Sequence, residues 1–263
     1  MIYIICVTYG NHNSSLKAIN RLADKIKAYI VLVDTKHKVI TTPRGIYKED
    51  RVNHYFEFSG YQAGLSILIS ERVISLNRNK IFIINDTVFT SHLYQLYKYV
   101  FKACLKIDGD NKVSGLTENR FFGEIIPSCF FCFLVSEENA KKINFISEFS
   151  LENNSKNIEL SSLYLVNKAA FQKEIDSWLN PKVFWKGWYK SVPWVNLPEH
   201  VYSRKYLAIY LEYCFLQNNM TLEVCSLNKK TKTIRVLKLA DRLYCNFKKL
   251  KYRIYEFTRS KFQ

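Results

Sequence analysis

The sequence predicts an α/β fold in which a mostly parallel sheet is flanked by helices. Three apolar segments of strand length, residues 2–7, 28–33 and 80–84, each run into polar residues. The chain between them is predicted to be largely helical, at residues 14–26 and 60–76. Strands that alternate with helices form parallel sheets with right-handed crossovers, so these strand ends are expected to share one edge. Ligands of open α/β sheets bind at that edge.

The later elements continue the same alternation. Residues 136–143 are predicted to form a helix because Ser136-Glu137-Glu138 is a typical N-terminal signal. Residues 36–50 contain Thr41-Thr42-Pro43-Arg44-Gly45 and are predicted to be a loop. A further helix is predicted at residues 202–217. The remaining expected elements are a helix at 92–103 and strands at 112–115 and 128–135.

The composition indicates an ordinary globular protein of one principal domain with an appendage. The chain has 263 residues, 48% of them hydrophobic, with only eight Gly and five Pro. Its seven cysteines are scattered and mostly lie in apolar runs, as expected of buried thiols in a reducing compartment. No apolar run is long enough to span a membrane, and the N-terminus lacks signal-peptide features. We therefore expect a cytoplasmic protein.

The positive charge is concentrated in the last 36 residues. Residues 228–263 contain twelve Lys or Arg and two acids, a net charge of +10 out of +16 for the whole chain. Apolar residues recur there at three- and four-residue steps, which predicts a basic amphipathic helix. We divide the chain into a domain of residues 1–227 and this tail of residues 228–263. The tail is expected to lie on an anionic membrane surface. Two alternatives are docking of its apolar stripe on its own domain and, ranked third, binding to nucleic acid.

The order of the segments resembles the GT-A fold glycosyltransferases, especially the family-2-type bacterial enzymes that use nucleotide sugars. The resemblance covers roughly residues 1–145. It implies transfer of a sugar from a nucleotide-sugar donor to a glycan or lipid-linked acceptor, in the synthesis of bacterial surface polysaccharide such as O-antigen, capsule or lipopolysaccharide. It also implies a peripheral location on the inner face of the cell membrane. The matching segments are Val7-Thr8-Tyr9-Gly10, Val33-Asp34, Asn53, Phe56-Glu57-Phe58-Ser59-Gly60-Tyr61-Gln62-Ala63-Gly64-Leu65, Ile84-Asn85-Asp86-Thr87 and residues 127–140.

The resemblance also implies a set of donor-binding residues. Asp34 matches the family residue that recognises the base, and Thr8 and Tyr9 match the turn beneath it. A carboxylate between aromatic residues, as at Glu57, is either paired or functionally perturbed. Gly60 and Gly64 are expected to allow close backbone approach. The complete predicted donor-nucleotide site is Thr8, Tyr9, Asp34, Asn53, Glu57, Tyr61, Asn85 and Asp86.

The metal-binding motif of the family is incomplete in this chain. Asn85-Asp86-Thr87 stands where an Asp-x-Asp motif would hold Mg²⁺ or Mn²⁺, and this leaves Asp86 as the one carboxylate. Asp86 is therefore predicted to be both catalytic and the metal ligand. Metal-independent transfer is the alternative, in which a cation meets the charge on the leaving group. Arg44, Arg51 and Arg120 are the candidates.

The catalytic base is predicted to be Glu199. An inverting transfer needs a carboxylate to deprotonate the acceptor hydroxyl, and the family supplies it ahead of a late helix. Leu197-Pro198-Glu199-His200 is the comparable feature here. The alternative is that Pro198 and Glu199 simply open that helix.

Two other functions remain open from the sequence. One is a non-catalytic nucleotide- or glycan-binding protein of the same fold, and the other is a basic nucleic-acid-binding protein. Cys129 and Cys132 have CxxC spacing, but the run reads as a buried strand with no second ligand pair nearby in sequence. We therefore set zinc and redox chemistry aside.

Overall fold

A computed structural model describes most of the first 146 residues and parts of the remainder. The gaps before residue 147 are residue 11 and residues 24–25, 54–56, 77, 90 and 121–122. Beyond it, the structure describes Lys173, residues 221–227 and scattered positions between 211 and 254. Predictions at residues 147–172 and 174–210, including Glu199, lie outside the described residues.

Ten strands and four α-helices have described bounds, and further helical residues are scattered between positions 211 and 254. The strands are β1 (Ile2–Thr8), β2 (Tyr29–Asp34), β3 (Val39–Thr42), β4 (Gly45–Lys48), β5 (Asn79–Asn85), β6 (Lys112–Gly115), β7 (Glu118–Arg120), β8 (Gly123–Ile125), β9 (Phe130–Val135) and β10 (Glu223–Ser226). The helices are α1 (His12–Ala23), α2 (Glu57–Ser70), α3 (Ser91–Leu105) and α4 (Glu137–Lys142). Short 3-10 helices lie at Asp50–Asn53 and Asp86–Phe89.

Eight strands form one sheet in the order β10-β6-β9-β5-β1-β2-β3-β4. The strands β1, β2, β4, β5, β6 and β10 run in one direction, and β3 and β9 run against them. The predicted α/β class is confirmed. The sheet is more mixed than predicted, because a hairpin extends it at β3–β4 and β9 separates β5 from β6.

Helices cover both faces of the sheet, which explains why β1 is buried along almost its whole length. Tyr3, Ile5 and Val7 point into the core beneath α2 and α4. Ile4 and Cys6 point to the opposite face, into the core beneath α1 and α3. The alternation of a strand thus feeds two cores on either side of one sheet.

Helix α2 approaches β1 closely through two glycines. A Cβ on Gly64 would lie 2.5 Å from Ile5 Cγ2, and a Cβ on Gly60 would lie 2.8 Å from Val7 Cγ2. Both distances are shorter than real carbon contacts, so a side chain at either position would push the helix off the sheet. The close approach predicted for both glycines is confirmed.

Two regions differ from the sequence prediction. Residues 36–50, predicted as a loop, form the hairpin β3–β4, which pairs with β2. Pro43 and Arg44 form the two-residue turn, so the Pro that indicated a loop lies between two short strands. Strand β10 was not predicted, and it pairs in parallel with β6 from more than a hundred residues away.

Helix α4 begins as predicted. The Ser136 hydroxyl accepts a hydrogen bond from the Asn139 backbone N–H, and Glu137 and Glu138 occupy the first turn. In the described part of the chain, no helix combines the length and apolar character needed to cross a membrane.

Candidate functional site

The strand order reverses at β1, because successive strands are added first on one side of β1 and then on the other. From β1 the chain passes through α1 to β2 on one side, and then through α2 to β5 on the other side. Helices α1 and α2 cover opposite faces, and β1 and β5 end side by side at this switch point, where open α/β sheets bind ligands. The residues that follow these strands are Tyr9 and Asp86, which makes the switch point the candidate site.

Two carboxylates hold the loop between β1 and α1. The Tyr9 backbone N–H donates to Asp86 Oδ2 at 3.3 Å, and the Gly10 backbone N–H donates to Asp34 Oδ1 at 3.0 Å. Gly10 has a positive φ of 77°, which lets the loop turn so that successive N–H groups face different carboxylates. These two hydrogen bonds therefore link the carboxyl ends of β1, β2 and β5, although the bonded residues are 24 or more positions apart in the sequence.

Asp34 is buried, and several donors surround it. Its side chain is only 3% exposed. Its Oδ1 also accepts from the backbone N–H groups of Lys36 (3.0 Å) and His37 (3.2 Å), and its Oδ2 lies 2.7 Å from His37 Nδ1. Burial by itself raises the pKa of Asp34, but the hydrogen bonds from the His37 ring and from the Gly10 and His37 backbone lower it below the ordinary value. Asp34 therefore stays ionised and positions the turn around it.

Two cationic or ionisable side chains that the sequence reasoning missed stand at this edge. His37 is held by Asp34, yet its side chain is 58% exposed. The Lys36 side chain lies across the β1–α1 loop, since a Cβ on Gly10 would come within 2.8 Å of Lys36 Cδ. Both residues lie within three positions after Asp34, so a turn built around a strand-end Asp was the available signal.

Thr8 is buried and links strand ends. Its hydroxyl accepts from Ser15 at 3.3 Å, and its carbonyl accepts from both the backbone N–H (2.9 Å) and the hydroxyl (3.1 Å) of Thr35. Tyr9, by contrast, has 55% of its surface exposed. Of this predicted pair, Tyr9 is the side chain that solvent or a ligand can reach.

The Asn85-Asp86-Thr87 segment offers one carboxylate to a cation. Asn85 Oδ1 accepts the Thr87 backbone N–H at 3.1 Å, so this amide caps its own turn. No group of three His, Cys, Asp or Glu side chains comes together to hold a metal among the residues that the structure describes. Mg²⁺ is nevertheless commonly held by one carboxylate together with substrate phosphates, and Asp86 suits that arrangement.

A second polar cluster surrounds Ser128, which precedes β9 at the same edge of the sheet. The Ser128 hydroxyl donates to Glu57 Oε1 at 3.1 Å, and its backbone N–H donates to Glu212 Oε1 at 2.7 Å. The Tyr61 hydroxyl donates to its carbonyl at 2.8 Å. Glu57 is thus paired, one of the two outcomes predicted for it. Sequence reasoning missed Glu212, which lies 84 residues from Ser128 along the chain.

Tyr61 is buried beneath the Ser128 cluster. Its ring makes edge contacts with Phe58 and Phe131. Burial raises the pKa of Tyr61 well above its ordinary value, and the negative charges of Glu57 and Asp86 raise it further. The Tyr61 phenol is therefore protonated at neutral pH, and it donates to the Ser128 carbonyl.

The remaining candidates lie elsewhere or cannot be placed. Arg44 binds the Glu71 carbonyl at the amino-terminal edge of the sheet, and Arg51 binds Glu49 on the surface. Asn53 ends a short 3-10 helix, but its side chain and that of Arg120 lie outside the described residues.

Of the CxxC pair, Cys132 is buried in a strand, as the sequence indicated, and Cys129 is half-buried. Cys132 is fully buried within β9, and burial raises the pKa of the Cys129 thiol to about 12. The Cys129 sulfur lies 2.7 Å from the Tyr97 hydroxyl. Both thiols are therefore protonated at neutral pH and are poor nucleophiles.

Comparison with protein-family models, with curated proteins and with solved structures gives no match to this chain. The fold and the site themselves define a class, namely an α/β protein with a cluster of polar side chains at the switch point of a mixed eight-stranded sheet.

Proposed function

We propose that this protein is a glycosyltransferase with a GT-A-like arrangement, which binds a nucleotide sugar at the carboxyl edge of the sheet. The observation that carries the proposal is the double attachment of the β1–α1 loop. Asp86 and Asp34 hold its successive N–H groups at the switch point, where open α/β sheets bind ligands. The acceptor is a glycan or a lipid-linked glycan, and the setting is bacterial surface polysaccharide synthesis.

Charge is the main chemical demand of sugar transfer. The diphosphate leaving group gains negative charge as the bond to the sugar breaks, and cationic groups or a metal stabilise that charge. Lys36 and His37 stand at the carboxyl edge of the sheet, beside the loop that Asp34 and Asp86 hold. A divalent cation held between Asp86 and the diphosphate would supply further positive charge.

A base must also take the proton of the acceptor hydroxyl. Glu212 is a carboxylate that the Ser128 backbone N–H fixes at the same edge, next to Glu57. We add Glu212 to Glu199 as a candidate for this role. The hydrogen bond from Ser128 orients the Glu212 carboxylate at the edge where the acceptor would bind.

Thermal unfolding with nucleotides tests the proposal. The protein is heated with UDP, GDP, CMP, dTDP and their common sugar conjugates, with and without Mg²⁺ or Mn²⁺. A ligand that binds the folded state raises the melting temperature. We expect one nucleotide class to raise it, and Asp86→Asn to remove that increase. The matched control is Asp110→Asn, since Asp110 is an exposed carboxylate just before β6 at the opposite edge. No increase with any nucleotide would overturn the proposal.

A non-catalytic binding protein of the same fold is the second candidate. The observation that favours it is that Asn85 caps its own turn, where the family would place another carboxylate. Both candidates predict nucleotide binding. They are separated by incubating the protein with the sugar conjugate that raises the melting temperature, because a transferase releases free nucleoside diphosphate in the presence of acceptor and a binding protein does not.

A further inference from the structure

The C-terminal segment presents an apolar surface that the folded domain does not cover. Every described residue between positions 232 and 254 is helical. Six large apolar side chains there are between 47% and 68% exposed. They form the C-terminal stripe, which consists of Val236, Leu239, Leu243, Phe247, Leu250 and Ile254.

The stripe is narrow when its six described positions are projected around an α-helix. At about 100° per residue, these six positions fall within an arc of about 80°. Leu237 lies outside this arc and is the side chain that packs against the core beneath α1 and α3. The start of the helix is therefore attached to the domain through Leu237, while the stripe itself faces away from the domain.

The positive charge of the segment indicates which kind of partner binds the stripe. Residues 228–263 carry twelve Lys or Arg and only Asp241 and Glu256 as acids. A second copy packed on the same stripe would bring two such segments together without acidic partners, so like charges would oppose the pairing. Nucleic acid would satisfy the charge but would not bury an apolar stripe. An anionic lipid surface satisfies both, because it takes apolar side chains at the headgroup boundary and attracts Lys and Arg.

We propose that the C-terminal stripe docks the protein on an anionic membrane surface. The segment also leaves the sheet at the edge that carries the candidate site. Strand β10 runs parallel to β6, and the backbone N–H of Leu227 donates to the Gly115 carbonyl at the carboxyl end of β6. The inference goes beyond the proposed function and does not depend on it.

Vesicle flotation of the full chain tests the inference. The vesicles contain either phosphatidylcholine alone or phosphatidylcholine with phosphatidylserine. We expect flotation with the anionic vesicles, none with the neutral vesicles, and loss of flotation in high salt. The double variant Leu243→Ser/Phe247→Ser is expected to bind the anionic vesicles about tenfold more weakly. The variant Lys248→Gln/Lys249→Gln is expected to bind more weakly and with a smaller dependence on salt.

The matched control is Ile46→Ser/Leu76→Ser, which removes two exposed apolar side chains elsewhere on the domain. It is expected to float like the wild type. Light scattering tests the alternative that a second copy of the chain covers the stripe. A dimer that Leu243→Ser/Phe247→Ser dissociates would overturn the inference, as would equal flotation of the stripe variant and the control, or no flotation of the wild type. Because no nucleotide sugar is present, this result is independent of the test of the proposed function.

Discussion

The two edges of the central sheet both carry hydrogen-bonded carboxylates, but they bind different partners. At the amino-terminal edge, Glu71 follows α2 and accepts hydrogen bonds from the hydroxyls of Tyr29, Thr42 and Tyr47. These partners are side chains of β2, β3 and β4. At the carboxyl edge, Asp34 and Asp86 instead accept backbone N–H groups of the β1–α1 loop.

The difference separates a structural cluster from a binding site. Glu71 joins α2 to three strands, and the hydroxyl groups of the neighbouring side chains are all engaged in that contact. Asp34 and Asp86 fix a loop by its backbone, which leaves the side chains of Tyr9, Lys36 and His37 exposed beside it. A ligand can therefore find oriented polar groups at the carboxyl edge, and changes at the two edges should have different consequences.

The largest expected effect is on transfer, at Asp86. Asp86→Ala removes the carboxylate that holds the Tyr9 N–H and would hold a cation, and we expect the rate of transfer to fall about a hundredfold or more. The unfolding temperature should change little, because Asp86 is only half-buried and holds the loop through one 3.3 Å bond. The measurement is release of nucleoside diphosphate by the variant and by Asp110→Asn. Unchanged transfer by Asp86→Ala would remove Asp86 from the site.

The opposite pattern is expected at Glu71. Glu71→Ala leaves three hydroxyls without their acceptor and should lower the free energy of unfolding by about 3 kcal/mol. Nucleotide binding should persist, because the cluster lies at the other edge. Urea denaturation measures the loss. Glu138→Ala is the control, since Glu138 forms an exposed ion pair with Lys142 and its loss should leave stability almost unchanged.

A smaller loss of stability is expected where α2 meets β1. In Gly64→Ala the added Cβ would lie 2.5 Å from Ile5 Cγ2, and relief of that clash should cost about 2 kcal/mol. Gly45→Ala is the control because nothing lies within 4 Å of a Cβ there. Denaturation of both variants compares them, and equal stability would mean that α2 does not pack against β1 as closely as described.

The smallest expected effect concerns pH and Asp34. Asp34→Asn keeps one oxygen for the backbone donors and loses the charge next to His37, so it should cost about 1 kcal/mol near neutral pH. The pKa of Asp34 is lowered in the folded protein, and its contribution is therefore complete above the ordinary value of 3.8 and lost as the pH falls through the lowered value. The stability difference between the wild type and Asp34→Asn should shrink in acid. A difference that grows in acid would contradict the assigned direction of the shift.

The sequence predicted the central strands and their polar ends because the information for them is local. Strands β1, β2 and β5 are continuous apolar runs, and each ends at a residue whose change in polarity marks the edge of the sheet. The N-terminal signal of α4 is equally local. Such features are readable without knowledge of the partner strand.

The missed features depend on distant partners. Strands β3 and β4 have four residues each, and the pairing of β3 with both β2 and β4 outweighs the turn-forming residues between them. The contact between Glu212 and Ser128 joins residues far apart in the chain, and no local pattern indicates it. The sequence identifies Asp34 as a polar residue at a strand end. Its role in positioning His37 follows from its burial, which the sequence does not show.

The most direct test of the central claim is hydrogen–deuterium exchange of the wild-type protein with and without the nucleotide that raises its melting temperature. We predict slower exchange with nucleotide in peptides that contain residues 8–10, 34–37 and 85–87, which meet at the carboxyl edge. Peptides around Glu71 and Arg72 at the amino-terminal edge should exchange at the same rate in both states. Protection confined to the amino-terminal edge would contradict the account.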